Sequence, residues 1–118
     1  MAYEKDAAAI LDAQKRLREG EDGALADIYA AARRMAQGMV ERQCAKRRFS
    51  LSAEKAREKA HDAACYLATR FMKKKDFSLA NPQSYIYTCV LNVLYHKKKV
   101  EGKIEWRPTE EMGGFSDD

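Results

Sequence analysis

Between Leu25 and Val40 the apolar residues recur at helical spacing without a break. Leu25, Ile28, Tyr29, Ala32, Met35, Ala36, Met39 and Val40 follow the i, i+3, i+4, i+7 pattern. A strand exposes alternate residues on opposite faces, so this period fits a long helix with one buried stripe and excludes a sheet segment. The same period returns three more times. Ala7, Ile10, Leu11 and Leu17 mark a first helix over about Tyr3 to Arg18, with Gly20 as its stop. The long second helix runs from about Asp22 to Lys46, and Gly38 inside it predicts close approach by a neighbouring helix. Ala56, Ala60, Ala63, Ala64, Leu67 and Phe71 mark a third, capped by Ser52 and reaching about Lys75. Ile86, Cys89, Val90, Val93 and Leu94 mark a fourth. The expected fold class is all-α, a compact bundle of four helices.

The fourth helix has the sharpest start. Asn81 can accept a hydrogen bond from a free N–H of the first turn, and Pro82 at the first helical position loses nothing by lacking its own N–H. The pattern predicts a helix from Asn81 to Lys99, ending in Lys97, Lys98 and Lys99. In the loop before it, Phe77 and Leu79 either plug the end of the bundle or form a binding surface. After Lys99 the period decays, and Gly102, Pro108, Gly113 and Gly114 among scattered acids read as a tail. The expected division is a helical domain over 1–100 and a weakly structured acidic tail over 101–118. Trp106 in that tail either folds back onto the bundle or docks on a partner.

Charge divides along the same line. Residues 100–118 hold two bases against six acids, a net −4, which leaves +8 on residues 1–99. A basic body suits an anionic partner such as nucleic acid, and it also suits plain solubility. The cluster Arg42, Lys46, Arg47 and Arg48 closing the second helix has the same two readings, dipole complement or phosphate contact. Tyr85, Tyr87, Asn92 and Tyr95 with the three lysines put rings, an amide and cations on one stretch, the groups that hold single-stranded nucleic acid by stacking and charge.

Other chemistry is not signalled. Cys44, Cys65 and Cys89 form no Cys-x-x-Cys pair, and His61 and His96 have no metal-motif spacing. There is no phosphate loop, no Gly-x-Ser-x-Gly and no His-Glu-x-x-His, so no enzyme, cofactor, metal or small-molecule substrate is expected. No signal peptide and no run of about 20 apolar residues is present, which predicts a cytoplasmic protein with no membrane partner.

Three segments, in order and spacing, resemble region 2 of the bacterial sigma-70 family, in particular its extracytoplasmic-function type. Gly20 to Tyr29 (GEDGALADIY) resembles the family's Gly-Asp-x-x-Ala-Phe-x-x-Leu-Tyr start of a long helix. Ala60 to Arg70 (AHDAACYLATR) resembles Ala-Glu-Asp-Leu-Val-Gln-Glu-x-Phe-x-Arg. Tyr85 to Lys99 resembles Trp-Leu-x-x-Ile-Ala-x-Asn-x-x-x-Asp-x-x-Arg, with Asn92 at the Asn and Lys99 at the final Arg. The resemblance covers roughly residues 8–100. It implies a small transcription-related regulator whose partners are promoter-like or single-stranded DNA and RNA polymerase or another regulatory protein. It assigns Tyr85, Tyr87, Asn92, Tyr95, Lys97, Lys98 and Lys99 to nucleic acid, and the phosphate-contact reading of the basic cluster adds Arg47 and Arg48. It assigns Asp62, Cys65, Tyr66 and Arg70 to the protein partner. Four positions depart: Cys65 and Tyr66 replace the polar Gln-Glu, His96 replaces the Asp, and Tyr85 replaces the Trp. The family's second, helix-turn-helix region has no counterpart in residues 100–118, which suits an accessory or mobile-element regulator. The alternative is an interaction module that keeps the sigma-like fold without promoter recognition.

Overall fold

A computed structural model describes residues 3–47, 51–74, 76–100 and 103–108. The fold is all-α, a bundle of four helices: α1 (Glu4–Arg18), α2 (Ala24–Arg47), α3 (Ala53–Lys73) and α4 (Pro82–Leu94). Their limits follow local chemistry. Helix α1 ends where Gly20 takes a φ of +90°, with Gly20 N–H bonded to Leu17 C=O and Glu21 N–H to Arg16 C=O. This is the double bond of a Schellman stop, which glycine reaches without the strain a Cβ imposes. The Ser52 hydroxyl caps α3 by accepting from Lys55 N–H at 3.1 Å.

Helix α2 is the central element, packed most extensively on α3 and next on α1, while α4 closes the bundle against α3 and α2. Its stripe of Ile28, Ala31, Ala32, Met35, Ala36 and Val40 is fully buried. Opposite it, α3 buries Ala60, Ala63, Ala64 and Leu67. Alanine on both sides allows close helix approach, because interaxial distance follows the size of the contacting side chains. Full burial of a side chain such as Leu67 or Ile86 contributes about 1.5–3 kcal/mol.

Two expectations about the first half are modified. Leu11 is 40% exposed, because the inward stripe of α1 is Ile10, Ala13, Gln14 and Leu17, with a polar residue in its middle. The close neighbour of Gly38 is a side chain and not a helix backbone. A Cβ there would stand 2.9 Å from Tyr3 Oη, and the Tyr3 ring also lies 5.8 Å from the Arg42 guanidinium.

A larger correction concerns the expected helix to Lys99 and the expected tail. Helix α4 stops at Leu94, and the chain continues as strand β1 (Tyr95–Val100), antiparallel to β2 (Lys103–Pro108). Lys97 pairs with Trp106, Lys98 with Glu105 and Lys99 with Ile104. The physical reason is that no apolar residue follows Leu94 at helical spacing until Val100. Tyr95, Val100, Ile104 and Trp106 instead supply the aromatic and β-branched residues strands favour, and Pro108 sits at a strand end. Trp106 is thus part of a strand. Residues 109–118 of the expected tail lie outside the described residues.

Candidate nucleic-acid and partner surfaces

The placement of α4 begins in the loop before it. Gln14, buried in α1, donates from Nε2 to Leu79 C=O at 3.2 Å and accepts Leu79 N–H on Oε1 at 2.6 Å. Both backbone groups of a buried loop residue are thereby satisfied by one amide. Leu79 is buried, and Phe77 packs edge-on between Phe71 (4.9 Å between centroids) and Tyr85 (5.7 Å). These two residues plug the end of the bundle. Asn81 Oδ1 then accepts Ser84 N–H at 3.2 Å and starts α4, with Pro82 at its first position.

The expected aromatic strip is not continuous. Tyr85 and Tyr87 lie two residues apart, about 200° around the helix, and so occupy opposite flanks. Tyr85 is half-buried toward α3, its Oη accepting from Arg70 Nε at 3.4 Å. The Arg70 guanidinium lies 5.8 Å from the Phe77 ring centroid, and its bond to Tyr85 raises its already high pKa. Tyr87 turns toward α2 and is 41% exposed, its Oη accepting from Gln43 Nε2 at 3.2 Å. Tyr95 is only 6% exposed and donates its hydroxyl to Gln43 Oε1 at 3.3 Å. It is a core residue whose ring has no free face for a base, which removes it from the expected nucleic-acid set. Asn92 is exposed on the Tyr85 side of α4.

The cations are also distributed differently from the expectation. Lys97, Lys98 and Lys99 lie on strand β1 and not on the helix. Arg47 is the last residue of α2, and Arg48 lies outside the described residues.

On α3 the expected partner residues do share a surface. Asp62, Tyr66 and Arg70 follow one another at i, i+4 and i+8, with Cys65 beside them. Asp62 is exposed, Tyr66 is 52% exposed, and Cys65 and Arg70 are half-buried. Arg70 belongs to both expected sets in space, since its bond to Tyr85 joins the α3 face to α4.

Several structural side chains escaped sequence reasoning. Gln14 and Gln43 are buried amides that each tie two segments together, and both sit in apolar stripes (four residues after Ile10 and after Met39), which is the sign that could have found them. Arg16 gathers Asp12, Glu21 and Asp27, which raises its pKa further, Asp27 foremost. Tyr29 Oη lies 2.6 Å from His61 Nδ1, and Cys65 Sγ lies 3.3 Å from His61 Nε2. The i, i+4 spacing of His61 and Cys65 was visible, while Tyr29 is brought in by packing. The other two thiols differ: burial pushes Cys89 up to about 11 and raises Cys44.

Among the described residues no group of three or more His, Cys, Asp or Glu could hold a metal ion, and no helix is long and apolar enough to cross a membrane. No protein-family model, curated protein or solved structure matches the chain.

Proposed function

We propose that the chain is a small transcription-related regulator of the sigma region 2 type, docking on RNA polymerase through the outer face of α3 and touching promoter-like or single-stranded DNA beside α4. One observation carries this reading. The three segments that resemble the family fall at the start of α2, on α3 and on α4 running into β1, these helices pack on one another, and Arg70 of the second segment bonds Tyr85 of the third. The face that would grip a polymerase and the helix that would meet melted DNA are therefore contiguous. On this reading the DNA contact falls to Asn92 and the β1 lysines, because Tyr95 is buried and Tyr87 turns to α2.

The test is titration of the full chain with fluorescent single-stranded and forked promoter-like DNA across a salt series. The expected result is binding that weakens as salt rises. Replacing Lys97, Lys98 and Lys99 with Ala should reduce the log–log salt slope by roughly 0.7 per lost phosphate contact on single strands. Absence of binding at low salt and micromolar protein would end the DNA half of the proposal.

A second reading is favoured by the separated tyrosines: a protein-interaction module that keeps the fold without promoter recognition. Tyr66, 52% exposed where the family has a polar residue, would then anchor a different protein partner. DNA-independent binding of a regulator other than polymerase, lost on Tyr66→Ala, would select it.

A further inference from the structure

The face between α2 and α4 has no part in either reading. A cleft there is lined by Tyr3, Met39, Arg42, Gln43, Gln83 and Tyr87. Tyr87, 41% exposed, is one of four large apolar side chains exposed among the described residues, and Met39 beside the cleft is nearly buried. The rim is positive. Arg42 and Lys46, one turn apart on α2, are exposed, and α4 carries no charged residue. Glu4 and Lys5, next to Tyr3, offset each other, and Glu41 accepts from Gln37 Nε2 at 2.8 Å. Gln83 lies in the first turn of α4, the positive end of its dipole.

The hairpin delivers the chain to this cleft. It leaves the bundle at Tyr95 and returns at Pro108, which pairs with Tyr95 across β1 and β2. Partners in an antiparallel pair lie about 4.5–5.5 Å apart between Cα atoms. The Tyr95 hydroxyl bonds Gln43 Oε1, and Gln43 Nε2 bonds the Tyr87 hydroxyl, so the chain after Pro108 starts one side chain away from the cleft. Residues 109–118, TEEMGGFSDD, lie outside the described residues. They hold four acids, no base and two large apolar side chains, Met112 and Phe115. A segment of this length extends to roughly 33 Å. Tyr87, eight residues back from Tyr95, is only about 12 Å away along α4.

We propose that residues 109–118 dock on the α2–α4 cleft of their own chain. Met112 and Phe115 cover Met39 and Tyr87, and the acids face Arg42 and Lys46. Reach, charge and apolar content all match this one occupant. The tether at Pro108 holds the segment at an effective concentration on the order of millimolar, so individually weak contacts suffice. A face covered in this way is closed to other partners, which leaves the outer side of α3 open for docking. The proposal stands on the cleft and the hairpin register and does not depend on the function proposed above.

The experiment irradiates the full chain carrying Phe115→p-benzoylphenylalanine and maps the crosslinked peptides by mass spectrometry. Crosslinks should fall on the α2 and α4 peptides that contain Met39, Arg42 and Tyr87, within one molecule, with a yield that does not change when the protein is diluted. Amide nitrogen–proton correlation spectra give a second readout. Met112→Ser with Phe115→Ser should move the signals of Arg42, Gln83 and Tyr87 and leave that of Tyr66 on α3 in place. Glu110→Gln, Glu111→Gln, Asp117→Asn and Asp118→Asn together should move the same signals in the same direction. All these positions lie outside the four helices, so the bundle is not put at risk. Crosslinks to α3, crosslinks between molecules that fade on dilution, a yield no higher than in urea, or amide shifts confined to residues 109–118 would each overturn the proposal.

Discussion

Helices α3 and α4 lie side by side and are joined by Arg70 and Tyr85, yet they present their polar residues differently. The outer residues of α3 form a single stripe, with Asp62 and Tyr66 exposed and Arg70 turned to Tyr85 of α4. Those of α4 are split between flanks, Tyr85 going to α3 and Tyr87 to α2, with Tyr95 withdrawn into the core beyond the helix end. The difference comes from spacing. On α3 the three residues are four apart and share one face, whereas Tyr85 and Tyr87 are two apart and fall about 200° from each other, one bonded to α3 and one to α2. A stripe facing solvent is free to recognise a partner, while residues on the flanks of a bridging helix are first structural.

The largest effect that could break this contrast is on stability. Tyr95→Ala removes a buried ring and its bond to Gln43, and should cost about 3–5 kcal/mol in urea denaturation. Tyr87→Ala, at an exposed flank, should cost about 1 kcal/mol or less. Similar losses from the two would mean that the tyrosines are equivalent and the contrast false.

Gln14→Ala comes next. It leaves the N–H and C=O of buried Leu79 without partners and should cost about 2–3 kcal/mol, a loss that loosens the start of α4 and not α3. Hydrogen exchange should show faster opening at α4 than at the middle of α3. Asn81→Ala, which removes the α4 cap alone, should cost about 1 kcal/mol.

A pH dependence is expected at the α3–α4 seam. Burial raises the Cys89 thiol from 9.0 to about 11, so between these values the unfolded chain gives up its proton before the folded one does. The folded state then holds more protons, and stability falls as pH rises. The stability difference between wild type and Cys89→Ala should therefore be constant below pH 9 and narrow toward pH 11. An unchanged gap would show that the thiol is not desolvated at the seam.

These contrasts also explain what was legible in the sequence. The four helices were readable because Leu25 to Val40, Ala56 to Phe71 and Ile86 to Leu94 repeat at 3.6 residues, and Gly20, Ser52 and Asn81 act on groups within a few residues of themselves. The end of α4 was not, because it depends on pairing between residues 95–100 and 103–108 and on a Tyr95–Gln43 bond across 52 positions. On α3, picking residues by angle and by type coincide, so Asp62 and Tyr66 were found at the surface. On α4 they were picked by type, and the angle between Tyr85 and Tyr87 separates them. Gln14, Gln43 and the Tyr29–His61 contact were hidden for the same reason as Tyr95, since each partner is distant in the chain.

The central claim is that α3 carries a docking face for RNA polymerase. The most direct measurement is equilibrium binding of the full chain to purified bacterial RNA polymerase core, comparing wild type, Asp62→Ala with Tyr66→Ala, and Tyr87→Ala. Surface substitutions of this kind should leave stability within about 0.5–1 kcal/mol, so folding does not confound the comparison. The account predicts saturable binding that the α3 pair weakens by about ten-fold or more and that Tyr87→Ala leaves unchanged. No binding at micromolar concentration, or binding indifferent to Asp62 and Tyr66, would contradict it.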